Sequence, residues 1–360
     1  MSILDALQIA DASKVTRSPT KFGNLGGAMK AFVESWPNQS TFTDFIRASG
    51  AYFVCPREFI LNYWQPQANK FFDTRSQLMM STGSHLHEVI QDRILGPAGV
   101  LKGQWVAPHG THFDDTPSAN AGKVIRKDNG GAGVVVWEGY HPQPRQTIED
   151  VVAQRPVTWH YQEYKFFEDL WRISGHTDGV VSVARINWLS DNIKLVRDDP
   201  DAAFKILRDI PPGEEALLEI KTTNSYSYKQ LTTGSGIADY YKMQAAIYQK
   251  LTGLHQTVFW YLCRDTMDSK IVVYDYEPGW WNQITRKCRV IWEAIRDETL
   301  PDVFMACKTP TDKRAKGCVF QEPCWKRQLD FARYVSDGKA QAAAAGRDLL
   351  DLTGKTWPLT

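Results

Sequence analysis

The chain has no apolar run long enough to cross a bilayer, no surplus of either charge and no dense set of cysteines, and each absence narrows what it can be. A spanning helix needs about 20 consecutive apolar residues, and none is found. The opening "MSILDALQIADASK" carries acidic residues and no cleavable apolar core, so the cytoplasm is the expected compartment, with no membrane partner. The 42 Lys and Arg residues are balanced by 41 Asp and Glu, which leaves no global attraction for a polyanion; such a partner must be met by a local patch. Six cysteines without a leader do not make a disulfide framework, because the cytosol keeps thiols reduced. Where they cluster, metal binding is the better reading. There is no internal repeat, and no helix-turn-helix or base-reading zinc finger, so sequence-specific DNA binding is not expected.

The apolar fraction of 43% is ample for a core, and 360 residues suffice for one large domain or two ordinary ones. Residues 1–40 read as an N-terminal arm with the turn-rich "SPTKFGNLGG". Residues 41–95 have a helical pattern, the second half opening on the capping-type "STGS" and continuing through "HLHEVIQDRIL". Residues 96–155 turn to Gly, Pro, Asn and Asp, with one strand expected at "GVVVWEGY", and read as an insertion. "WHYQEYKFFED" and "LWRISGHTDGVVSVARI" suggest an antiparallel hairpin, and 187–213 a second polar insertion. "EALLEIKTT", "QTVFWYLCR" and "SKIVVYDYE" are further strands; "SGIADYYKMQAAIYQKLTG" is a helix closed by Gly253; helices near 279–298 and 325–350 end the chain. Cys263 and Cys288, in a strand and a helix, are expected to be small, buried and inert.

The chemistry concentrates in two strands. In "LLEIKTT" the alternation of a strand puts Glu219 and Lys221 on one side and Ile220 on the other, among apolar neighbours. Charges placed there are costly unless paired. In "GHTDGVV" Asp178 lies between Gly175 and Gly179, which permit close approach; if the two strands are neighbours, Asp178 and Glu219 can supply oxygens to a hard divalent cation. His87 sits on the helix before the sheet, with His85 the less suitable of the two; Gln244 and Tyr248 lie one turn apart on the helix after it.

The order G-x-x-x-H, G-x-x-D-G, E-x-K-T, Q-x-x-x-Y resembles the PD-(D/E)xK nuclease superfamily, and within it the RecB/AddB-type and CRISPR-associated iron–sulfur exonucleases, as a phage-type member. The resemblance implies an α/β fold: a restriction-endonuclease-like core (αβββαβ) with a central mixed sheet flanked by helices, over residues 156–300. It implies that His87, Asp178, Glu219 and the main-chain carbonyl of Ile220 bind Mg2+ or Mn2+, with Asp178, Glu219 and Lys221 as the catalytic group. Gln244 and Tyr248 would contact substrate or brace the site; Glu163 is a weaker candidate for a similar role. "YFVCPREFIL" and "MACKTPTDKRAKGCVFQEPCWKR" resemble the family's cluster ligands, so Cys55, Cys307, Cys318 and Cys324 would hold an iron–sulfur (4Fe-4S) cluster joining the N- and C-terminal helical segments. Residues 301–330 would be the cluster segment and 331–360 a helix and tail. The gap from Cys307 to Cys318 departs from the family's tight pair, and zinc would accept the same four sulfurs.

The activity so implied is hydrolysis of DNA, single-stranded and from its ends, in recombination, repair or replication, with proteins of those processes as partners. A structure-specific endonuclease for flaps or junctions is one alternative, and a non-catalytic DNA- or protein-binding iron–sulfur module another. Lys313, Arg314, Lys316, Lys326 and Arg327, interleaved with Phe320 and Trp325, suit a single strand or merely a solvated face. Tyr240, Tyr241, Trp280 and Trp281 could stack on bases too, but at this spacing core packing is the safer expectation. The loop "HGTHFDD", with His109 and His112, is read as an ordinary loop.

Overall fold

The computed structural model describes residues 44–66, 74–96, 98–107, 123–129, 132–141, 159–233, 236–302, 307, 309–325 and 329–358. The N-terminal arm, the His109–His112 loop, Lys326 and Arg327 lie outside the described residues. The chain divides into two compact units, Met1–Ser40 with Asn69–Ser81, and Thr41–Ala68 with Thr82–Thr360. Of the first, only residues 74–81 are described, as helical turns; the second carries the sheets and the candidate site.

Its centre is strand β9 (Glu215–Thr223), which alternates between two apolar layers. Leu217 joins the cluster of Trp64, Met243, Ile247 and Trp292, whereas Ala216, Leu218 and Ile220 face Trp105, Val181 and Val258. Strand β10 (Gln256–Cys263) runs parallel to β9, and β11 (Ser269–Asp275) returns antiparallel to β10. On its other side β9 pairs antiparallel with β8 (Gly179–Ser182). The sheet then extends through β2 (Leu101–Ala107), β4 (Ala132–Tyr140) and β3 (Lys123–Asn129), with β5 (His160–Gln162) also paired to β2. Thus the described part of 96–155 holds three strands rather than one. They add to the main sheet because β2 pairs with β8.

A second, three-stranded sheet has the order β1 (Ile46–Arg47), β7 (Ile173–Thr177), β6 (Tyr164–Glu168). β6 and β7 form the expected antiparallel pairing, Tyr164 opposite Thr177. The run that follows is not one strand: it leaves the small sheet at Thr177 and enters the large one at Gly179, with Asp178 at the crossing. It also ends earlier than its β-branched sequence suggests. The Ser182 hydroxyl accepts the Arg185 N–H at 3.2 Å, capping helix α3 (Val183–Asp191). The supposed polar insertion continues as α4 (Ile193–Asp198) and α5 (Pro200–Asp209), the latter with proline in its first turn.

The remaining helices are α1 (Pro56–Trp64), α2 (Thr74–Glu88), α6 (Ser225–Thr233), α7 (Asp239–Thr252), α8 (Pro278–Arg296), α9 (Lys313–Lys316), α10 (Gln321–Trp325) and α11 (Phe331–Ala344). The "STGS" stretch lies inside α2 and does not start it. α7 does close at Gly253, whose φ of 76° is the left-handed cap that glycine adopts freely. α8 buries Ile284, Cys288, Ile291, Trp292 and Ile295 along one face, and each isoleucine contributes about 1.5–3 kcal/mol on leaving water. Cys288 and Cys263 are both buried, as expected. The helix expected over 325–350 is shorter, covering Phe331–Ala344. The protein is an α/β fold with a mixed sheet flanked by helices, and no helix among the described residues is long and apolar enough to cross a membrane.

Candidate active site

Three backbone features bring distant residues to one place. Gly83 lets α2 lie close to β9: a Cβ there would stand 3.3 Å from Thr222 Oγ1. Past Glu88 the helix widens into a π-helical stretch, Val89–Leu95, a local unwinding often found at functional sites. From it Gln91 Nε2 donates to the Asp178 carbonyl at 2.7 Å. Finally, Thr177 Oγ1 donates to the Leu218 carbonyl at 3.2 Å, tying the turn at Asp178 to β9. The two flanking glycines make room for core side chains rather than for a ligand. A Cβ at Gly175 would meet Tyr248 Cε1 at 2.5 Å, and one at Gly179 would meet Leu101 Cδ1 at 2.3 Å.

Within this frame His87 Nδ1 stands 3.3 Å from Asp178 Oδ1. Asp178 Oδ2 accepts the Ile220 N–H at 2.5 Å, which fixes the carboxylate against β9. Lys221 Nζ donates to Glu219 Oε2 at 2.6 Å and to Gln244 Oε1 at 3.2 Å, and lies 4.9 Å from the centre of the Tyr241 ring. Glu163, in the link between β5 and β6, joins His87 and Asp178 in a group whose ligand atoms all lie within 4.8 Å of one another. Glu219, whose Oε2 accepts from Lys221, is outside that group. His85 is exposed and pairs with Glu88 at 3.5 Å. Tyr248 is buried, packed against Phe166 and beside Gln244, with Glu219 and Asp178 near enough to act on its hydroxyl.

The electrostatics follow from burial and proximity. Glu219 is 1% exposed; burial pushes its carboxyl up to about 7, against the pull of Lys221 and with the repulsion of Asp178. Burial lowers the Lys221 ammonium, but Glu219 and Asp178 more than compensate and hold it above its ordinary value. For His87, burial is likewise outweighed by the hydrogen bond and charge of Asp178, and the imidazole is raised. Glu163 is raised by burial and then by Asp178. Glu219 Oε1 is buried and accepts no hydrogen bond. The imidazole of His87 with the carboxylates of Glu163 and Asp178 is a donor set that fits a divalent cation, which would relieve the repulsion among the acids; Glu219, with its orphaned oxygen, lies outside that set.

Gln91 shows what sequence reasoning missed: it is four residues beyond His87, a spacing that could have flagged it. Glu163, expected only as a weaker substrate-side candidate, stands instead among the potential metal ligands with His87 and Asp178.

The four cysteines Cys55, Cys307, Cys318 and Cys324 line one cavity of about 380 Å³ including its mouth, with Arg57, Glu58, Arg314, Phe320 and Trp325. Arg57 bridges its two sides, donating to Cys324 Sγ at 3.2 Å, to the Cys324 carbonyl at 2.9 Å and to that of Pro301 at 2.7 Å. Burial raises the thiols of Cys55, Cys307 and Cys318, the last to about 11. No three of the four sulfurs come within 4.8 Å of one another. Phe320 is buried in the cavity wall and so does not serve as a stacking surface.

No family model matches the chain, and no curated protein matches it. Among solved structures it overlaps a protein described as SSO0001, at 12% identity and a TM-score of 0.34 over 84% of this chain and 96% of that one. It also overlaps an alkaline exonuclease, LHK-Exo, from Laribacter hongkongensis, at 12% identity and a TM-score of 0.25 over 38% of this chain and 59% of that one. The same enzyme in complex with dAMP gives 12% identity, a TM-score of 0.25, 38% and 58%. The chain thus spans less than two thirds of the exonuclease. At such TM-scores the overlaps are loose, and the chemistry must be read from the side chains themselves.

Proposed function

We propose that this protein is a Mg2+- or Mn2+-dependent deoxyribonuclease that hydrolyses phosphodiester bonds from the ends of single-stranded DNA, in the recombination, repair or replication of a phage or bacterial genome. One observation carries the reading: a buried Glu219 with an orphaned oxygen, a charged Lys221 at 2.6 Å, and Asp178 anchored on the intervening Ile220 N–H.

In this reading His87, Asp178, Glu219 and the Ile220 carbonyl hold the ion, and Glu163 lends a further carboxylate beside them. A bound divalent cation supplies Lewis acidity to a phosphoryl oxygen and lowers the pKa of water. Lys221, kept protonated by its two carboxylate neighbours, faces the charge that develops at phosphorus during in-line displacement. Gln244 directs the ammonium and Tyr248 braces Gln244. Residues 156–300 constitute the nuclease core.

The four cysteines that face one cavity are the residues that would hold an iron–sulfur cluster, with zinc as the lesser alternative for the same sulfurs. The cluster would join residues 41–95 to 301–330. The activity is tested by offering linear and covalently closed single-stranded DNA in the presence of Mn2+. The linear strand is degraded to nucleotides and the circle persists; cleavage of the circle would show a structure-specific endonuclease instead.

A further inference from the structure

Two aromatic side chains outside the core lie on the way to the candidate site. Phe53, the last residue of the short 3-10 helix Ala48–Phe53, is 50% exposed. Tyr240 is half-buried at the start of α7. Neither belongs to a buried cluster, although their sequence neighbours Tyr52 and Tyr241 do. The expectation that Tyr240 packs in the core is therefore corrected, while Tyr241, Trp280 and Trp281 do pack there.

The exposed rings form a row that leads to the candidate site. Phe53 and Tyr240 have centroids 5.4 Å apart with planes 38° from parallel. Tyr240 is followed by Tyr241 at 4.2 Å, and the Tyr241 ring lies 4.9 Å from Lys221 Nζ. At the outer end Arg314 donates to the Phe53 carbonyl, on a turn of helix whose Lys313 and Lys316 are both exposed. Cations thus flank the aromatic row at its outer end and at Lys221. That combination complements a polyanion carrying unpaired flat bases, since cations follow phosphates and rings stack on bases of any sequence. Paired bases offer no free face for it.

We propose that Phe53 and Tyr240 form a stacking platform for unpaired bases of a single strand, with the exposed Lys313 and Lys316 towards its phosphates, and that Tyr241 carries the row inward to Lys221. The platform rests on the nuclease reading for its substrate, yet it can fail separately. The test is fluorescence anisotropy in Ca2+ with the full-length chain and two oligonucleotides of equal length, one all-thymidine and one abasic with the same phosphates. The wild type binds the thymidine strand about tenfold tighter, in keeping with the worth of one stacked base. Phe53→Ala and Tyr240→Ala each lose most of that preference and bind the abasic strand as the wild type does, while Phe53→Trp retains it. Equal affinity of the wild type for both strands, or an undiminished preference in both alanine variants, overturns the platform even if the protein proves to be a nuclease. A base preference lost in the variants, without any Mn2+-dependent cleavage by the wild type, would keep the platform and remove the nuclease reading instead.

Discussion

Glu219 and Lys221 make each other tolerable. Each alone would be a charge in a strand whose other inward residues are Leu217, Leu218 and Ile220, at a cost of several kcal/mol. Together, at 2.6 Å, they neutralise one another but leave Glu219 Oε1 without a hydrogen bond, which costs about 1–3 kcal/mol. At this scale much was legible, because charged residues in apolar strands stand out against their neighbours, and His87, Asp178, Glu219, Lys221 and Gln244 do converge. What was not legible depends on approach in space. Gln91 comes from the π-helical stretch, and Phe53 from a 3-10 helix whose exposure no local pattern announces.

Elements with a strong period or a clear stop were readable from sequence: β9, β10, β11, α7 with its Gly253 cap, and α8. The misses have physical causes. β1 is only two residues long and exists because β7 offers it an edge; the π-helical stretch after Glu88 is a tertiary adjustment; α3 is set by one serine cap against β-branched neighbours. Helix α11 illustrates how packing decides an element's place. Its Gly338 lies against the end of α1, where a Cβ would come 2.6 Å from the Trp64 carbonyl oxygen. Backbone cannot retreat as a side-chain tip can, so Gly338→Ala is expected to cost about 1–3 kcal/mol in urea unfolding. Gly279→Ala, where a Cβ meets open space, should leave stability unchanged or slightly raised. Equal midpoints for the two variants would show that α11 is not seated on α1 as described.

Over the whole molecule, the two ends of the second unit are stitched together around its core. Arg57 reaches Cys324 and Pro301, Gln65 and Leu61 meet Tyr334, and Arg347 donates to the Tyr63 carbonyl. Four cysteines that face one cavity sit across the same seam, joining residue 55 to residues 307, 318 and 324. Protein purified without oxygen should be brown and carry about four irons per chain. A colourless preparation containing zinc would replace the cluster without altering the active site. The centre of the account is the lysine on β9. Under single turnover in Mn2+, Lys221→Ala should cut linear single-stranded DNA on the order of 10³-fold more slowly, an effect of about 4 kcal/mol on the barrier, while its affinity for the strand stays within about threefold. Cleavage by Lys221→Ala at the wild-type rate would contradict it.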